Sequence, residues 1–316
     1  MRCFPIALAA ACLAGLSAFA TPAIAAPALP PLVLDADAPV MLGIAGQQIG
    51  LRLFTGSIDR VTLSAASAAR LGIKPQGLMG KATLKIGNAP ALTGRNAVQS
   101  FTLAGQPIKQ RVFWFQGAVM KGDGSVGPWA FPQQQIRISL GNAGAGDTPH
   151  DFPLYGDINS GTYAGVRGRP DIGPGFGVSI AIEADYRLTM VTAATGADLA
   201  GALGGTMTGD VWEEEILLGI VRPVRRMVLA RPLVVGPFRI TEVAVRVRDL
   251  RDGTGVLGNE QQIISDDDDP SEIVVTGSSD RNRPVVRLLT LSRRQLGECS
   301  AIVLDKAAAR YTLECS

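Results

Sequence analysis

Short apolar stretches alternate with glycine-rich turns along most of the chain. Val40 to Ile44 is apolar and is followed by Gly46-Gln-Gln-Ile-Gly50. Leu51-Arg-Leu-Phe54 then alternates, which puts every second side chain on one face of a strand. Val61 to Leu71 carries Leu63, Ala66, Ala69 and Leu71 at a spacing that suits a short helix, with Gly72 to end it. Phe101-Thr-Leu103, Gly105 and Val112-Phe-Trp-Phe115 predict a hairpin. Asp123-Gly-Ser-Val-Gly127 and the alternating strand Ile136 to Leu140 follow.

The same order returns further on. Val178 to Ile182 is a strand, and Leu188 to Val191 leads into Ala194-Thr195-Gly196-Ala197. Asp198 to Leu203 is rich in Ala and Leu and stops at Gly204-Gly205. Leu229 to Val235, Gly236 and Ile240 to Val247 predict a second hairpin, and Asp252-Gly-Thr-Gly-Val-Leu-Gly258 closes the copy. Residues 142–177 between the copies are rich in Gly, Pro and Asp and hold the lone His150; they predict a linker with one strand at most.

Composition narrows the class. The 316 residues include 37 Gly and 20 Pro, and 47% are hydrophobic, which suits a turn-rich all-β protein and not a disordered chain. A net charge of +2 gives no electrostatic case for nucleic acid. One His and four Cys leave little for a nitrogen and sulfur metal site. There is no Gly-rich phosphate loop and no HExxH, so no cofactor is expected.

The N-terminus predicts export. Arg2 precedes the apolar run Ile6 to Phe19, and Ala23-Ile24-Ala25 places small residues where a signal peptidase reads them. A signal peptide over 1–25 implies a mature protein in the bacterial periplasm or beyond. Cys299 and Cys315 then remain in an oxidising compartment. Ala301 to Leu304 and Arg310 to Leu313 read as two strands of a hairpin. Centred on Ala307, it pairs 304 with 310, 302 with 312 and 299 with 315, so a Cys299–Cys315 disulfide is expected.

The doubled order of strand, Thr-Gly-small, short helix, hairpin and Asp-Gly with apolar-Gly resembles the retropepsin-like and pepsin-like aspartic protease family. Leu51-Arg-Leu-Phe54-Thr55-Gly56-Ser57 with Arg70-Leu71-Gly72 carries the first match. Ala194-Thr195-Gly196-Ala197 with Gly255-Val256-Leu257-Gly258 carries the second, and Leu291 to Leu296 resembles the last short helix before a final strand. The resemblance implies two pepsin-like β-barrel lobes, 26–141 and 178–316, around a cleft for an extended peptide. It implies that Phe54-Thr55-Gly56-Ser57 and Ala194-Thr195-Gly196-Ala197 line that cleft, with Thr55 and Thr195 making cross-lobe hydrogen bonds. The family's two catalytic aspartates fall at Phe54 and Ala194, which can neither accept nor donate a proton. That chemistry needs two carboxylates sharing one proton. The resemblance therefore implies a pseudoprotease that binds a peptide or an envelope protein. The alternative is an active peptidase using Asp123 and Asp252, which open the two Asp-Gly stretches.

The second copy also carries extra residues over 261–284. Ser265-Asp-Asp-Asp-Asp269-Pro270 is a like-charge run that predicts a solvated loop. Glu272-Ile-Val-Val-Thr-Gly277 resembles the TonB box of outer-membrane receptors, an extended segment that adds a strand to its partner. That likeness would make the insertion an envelope interaction module with a TonB-like partner; otherwise it is an exposed loop with an edge strand.

Overall fold

The computed structural model describes residues 29–55, 61–84, 92–142, 146–155, 165–168, 176–247 and 287–316. Residues 1–28 and 248–286 lie outside them, and with these the expected signal peptide, Asp252, Gly255 to Gly258 and the 261–284 insertion. No helix among the described residues is long and apolar enough to cross a membrane.

The protein is all-β apart from short helices, as its turn-rich pattern predicts. After β1 (Leu32–Asp35), six strands close a barrel: β2 (Val40–Ile44), β3 (Gln47–Leu53), β4 (Val61–Leu63), β6 (Leu92–Leu103), β7 (Gln106–Phe115) and β8 (Gly124–Val126). They run in the order β2-β3-β8-β4-β7-β6, and Leu42 opposite Leu103 shuts the ring. A short β5 (Lys81–Leu84) hangs on β6. Alternation explains the filling: Ile49, Leu51 and Leu53 point inward from β3, where Leu42, Leu63, Leu103 and Val126 meet them with 1% exposure or less. Ala45-Gly46 and Ala104-Gly105 make the two-residue turns, all four with positive φ, which favours glycine at one position of each pair.

The predicted helix over Val61 to Leu71 is in fact β4 followed by α1 (Ala65–Arg70). Ser64 caps α1 by accepting from the Ser67 N–H, so the polar Ser64 and not the apolar Val61 marks the helix start.

The second sheet has twelve strands. It contains β1, β9 (Gln135–Ser139), β18 (Cys299–Asp305), β19 (Arg310–Cys315), β10 (Thr148–Tyr155), β11 (Gly165–Gly168), β12 (Phe176–Ala181), β17 (Leu288–Ser292), β13 (Thr189–Val191), β16 (Phe238–Arg246), β15 (Ile220–Val235) and β14 (Gly205–Leu217), in that spatial order. The stretch expected to be a linker with one strand at most contributes β10 and β11 to this sheet. β10 pairs with β19 at every residue from Thr148 to Pro153, and His150 sits opposite Leu313 inside the sheet. Pro149 and Pro153 lie within β10, and Gly165 and Gly168 bound β11.

The C-terminal hairpin holds the expected bridge: Cys299 faces Cys315, and their sulfurs are bonded. The inner register differs by one residue from expectation, Ile302 facing Leu313 and Leu304 facing Tyr311. A bulge between Cys299 and Ala301 takes up the extra residue on β18. Across β18, Arg137 of β9 makes a two-pronged contact with Glu314 of β19, 2.6 Å for each prong. That bond holds the Glu314 carboxyl below the usual carboxylate range.

Candidate functional site

The chain folds the same pairing unit twice. In the first copy β3 lies parallel to β8, while β4 lies parallel to β7 and antiparallel to β8. In the second, β12 lies parallel to β17, while β13 lies parallel to β16 and antiparallel to β17. Each copy then enters a capped helix, α1 or α2 (Ala193–Leu203), through Ser64 or Thr192. Register fixes which residues correspond. Leu63, just before the first cap, faces Gly124; Val191, just before the second, faces Leu289. Two residues on, Val126 faces Leu53 and Leu291 faces Ile180. Phe54 thus corresponds to Ala181, and Asp123 corresponds to Leu288.

This corrects the assignment of the second motif. Ala194-Thr195-Gly196-Ala197 lies in the first turns of α2 and not in a loop opposite Phe54. Thr195 is wholly buried, and its bonds are to Thr192, 3.0 Å between hydroxyls, within the helix cap. Gly196 is required by packing: a Cβ there would come 2.7 Å from Val245 Cγ1 on β16. A helix lying that close to a strand needs a glycine, and that need produced the Thr-Gly-Ala string.

The loop that Thr55 does meet follows β12. The Thr55 hydroxyl donates to the Ile180 carbonyl at 2.5 Å and accepts from the Ile182 N–H at 3.1 Å. Its own N–H donates to Glu183 Oε2 at 3.0 Å. Thr55 therefore clasps both sides of Ala181, and the ends of β3 and β12 are tied together. Gly56 and Ser57 lie outside the described residues. Phe54 is half-buried and packs against the buried cluster of Leu84, Phe115, Leu217, Leu218 and Ile220.

Those two leucines come from the tip of the β14–β15 hairpin, which reaches across to the barrel. The Val119 N–H donates to the Leu218 carbonyl at 3.0 Å, and Gly219 lies close over Val119. Leu218 has φ 53°, a left-handed conformation unusual for leucine. Its burial against the barrel offsets that cost. Between hairpin and barrel runs a cleft of about 260 Å³. Residues 52–54 and 119–121 form one wall, and 183–186 with 214–218 form the other. Tyr186 stands at its floor, 5% exposed, its hydroxyl reaching the Ile216 carbonyl at 3.4 Å. Burial pushes the Tyr186 hydroxyl well above its ordinary pKa, so it stays protonated.

The acids have other duties. Asp123 Oδ1 accepts from the Ser67 hydroxyl at 2.8 Å and from Arg70 at 2.5 Å, tying β8 to α1. The Ser67 hydrogen bond, then Arg70, holds its carboxyl below the usual range. In the second copy the charges are exchanged: α2 supplies Asp198, and Arg287 ahead of β17 receives it at 2.7 Å. Asp185 is paired with Arg294 at 3.2 Å. Asp123 is thus a structural ion pair outside the cleft lining, and Asp252 lies outside the described residues. Replacing Asp123 by Asn should cost under about 1 kcal/mol at pH 7, because the pair is partly exposed. A carboxyl depressed on folding contributes above its ordinary range and loses that contribution as pH falls through its folded value. The gap between wild type and Asp123→Asn in urea midpoint should therefore narrow from pH 7 towards pH 3; a gap of constant size would exclude the ion pair.

Glu183 was missed by sequence reading. The signal was there: in the first copy the Thr-Gly loop follows its strand at once, so the second loop had to begin at Ile182. Neither a protein-family model nor a curated protein matches this sequence.

Proposed function

We propose that this chain is an exported, aspartic-protease-like pseudoprotease of the bacterial cell envelope, which holds an extended peptide or protein segment in its cleft without cleaving it. One observation carries the reading. Thr55 joins two corresponding strand ends, where a two-lobed protease would place its paired acids, and those positions hold Phe54 and Ala181. The nearby Glu183 is a single carboxylate bound to a backbone N–H, and Asp185 is neutralised by Arg294. Paired-acid hydrolysis needs two carboxylates close enough to share a proton. Phe54 instead anchors the hairpin that roofs the cleft. The repeated pairing unit supports the two-lobed, pepsin-like reading, and the Cys299–Cys315 bridge supports an oxidising compartment. A cleft of about 260 Å³ accepts a few side chains of an extended peptide.

The mature protein should bind members of a fluorescein-labelled octapeptide library by anisotropy. It should leave those peptides and casein intact from pH 3 to pH 8. Cleavage by wild type that disappears in Glu183→Gln would overturn the pseudoprotease reading and make Glu183 a catalytic acid.

A further inference from the structure

The β14 strand ends the twelve-stranded sheet. It pairs with β15 along one edge, and its other edge meets no strand among the described residues. An open edge presents a row of backbone N–H and C=O groups to any chain that can align with it. Side-chain charge decides which chain that is. Within six residues β14 carries Asp210, Glu213, Glu214 and Glu215. Asp210, Glu213 and Glu215 are exposed, and Glu214 and Glu215 line the cleft.

The partner that β14 already has shows what suits it. On β15, Arg222 stands opposite Glu214, Arg225 opposite Val211 and Arg226 opposite Thr208. The latter two are engaged elsewhere: Arg226 with Glu242 of β16, and Arg225 Nε with the Gly209 carbonyl at 3.0 Å. They leave the edge acidic. Glu214 Oε1 accepts from the Trp212 indole and Glu215 Oε1 from the Gly219 N–H, both at 2.8 Å, so each carboxylate uses one oxygen locally. A second copy of this strand laid against the edge would set acids against acids, which is unfavourable across a strand pair.

We propose that the open edge of β14 is a docking strand for an extended peptide rich in lysine or arginine. Such a peptide adds to the sheet beside the cleft and sets its basic side chains against Glu213, Glu214 and Glu215. This rests on the peptide-binding reading of the cleft and names the class of peptide. Alternation along the added strand places every second residue on one face, so a basic residue at alternate positions meets Glu213 and Glu215 together.

Three labelled octapeptides test it: (Val-Lys)4, (Val-Thr)4 and (Val-Glu)4, titrated against the mature protein in low salt. The lysine peptide should bind roughly tenfold tighter than the glutamate peptide, since a few partly exposed ion pairs together supply about that factor. Glu213→Gln with Glu214→Gln and Glu215→Gln should remove the preference, and Glu213→Gln alone, outside the cleft lining, should reduce it while the threonine peptide binds as before. An N-methylated lysine peptide, which cannot pair through its backbone, should lose most of its affinity. Equal binding of the three peptides overturns the basic preference and leaves the cleft reading standing. No binding by any of them overturns both. Unchanged lysine-peptide affinity in a triple variant that self-associates would show that the acids only guard the edge, and would also overturn the proposal. The single variant Glu213→Gln, at an exposed position, repeats the comparison should the triple variant fail to fold.

Discussion

Gly124→Ala should be among the most damaging single changes in this protein, at about 3 kcal/mol. Gly124 faces Leu63 where β8 crosses β4. A Cβ added there would lie 2.3 Å from the Thr62 carbonyl oxygen and 2.9 Å from Leu63 Cα, with Leu51 Cδ2 at 3.1 Å. The first two contacts are backbone, so no rotamer change relieves them. β4 cannot retreat, because it is held between β7 and β8 and leads straight into the capped start of α1. The strand pair would separate, and with it the link between Leu53 and Val126 that positions Phe54 and Thr55. Gly201 gives the opposite sign. It lies in α2, and a Cβ there meets nothing within 4 Å. Gly201→Ala should therefore stabilise by about 0.5–1 kcal/mol through helix propensity alone. Thermal melts of both variants check the pair. A Gly124→Ala midpoint equal to wild type would mean that β8 does not pack on β4 as described.

Period-two alternation made the barrel strands and the C-terminal hairpin legible, because one face of each is buried and the other is not. β3 is the clearest case, with Ile49, Leu51 and Leu53 inward and Gln48 and Arg52 outward. The twelve-stranded sheet was harder to foresee. Its strands come from both ends and the middle of the chain, and β10 carries two prolines that argue against a strand. Pairing with β19 overrides that local signal. The second half of the site failed for a different reason. Thr-Gly-Ala has two physical origins, a tight loop or a helix packed closely on a strand, and a string of three residues does not separate them. Only the position of Val245 beside Gly196 does. The hairpin that roofs the cleft was hidden too. The sequence pattern assigns no element between Gly205 and Leu229, and the burial of Leu217, Leu218 and Ile220 comes from a cluster with Phe115 and Leu84, more than 100 residues earlier.

Removing the disulfide should be comparably costly. Cys299 and Cys315 are 16 residues apart, and both are almost fully buried. Closing a loop of that length limits the unfolded chain by about 3 kcal/mol in the chain-entropy account. The location raises the consequence. β19 is the seam on which β10 docks, while β18 on its other side carries β9, so four strands meet at the bridged hairpin. With Cys299→Ser and Cys315→Ser together, two hydroxyls replace a sulfur bridge in an apolar site, which adds a desolvation cost. The midpoint of thermal unfolding should fall by roughly 6–12 °C, using about 2–4 °C per kcal/mol for a chain of this size. The loss should be reproduced in wild-type protein by reductant and should be absent from the serine variant under the same treatment. If reductant leaves the wild-type midpoint unchanged, the bridge is not formed in the folded protein, and the case for an oxidising compartment loses its main structural support.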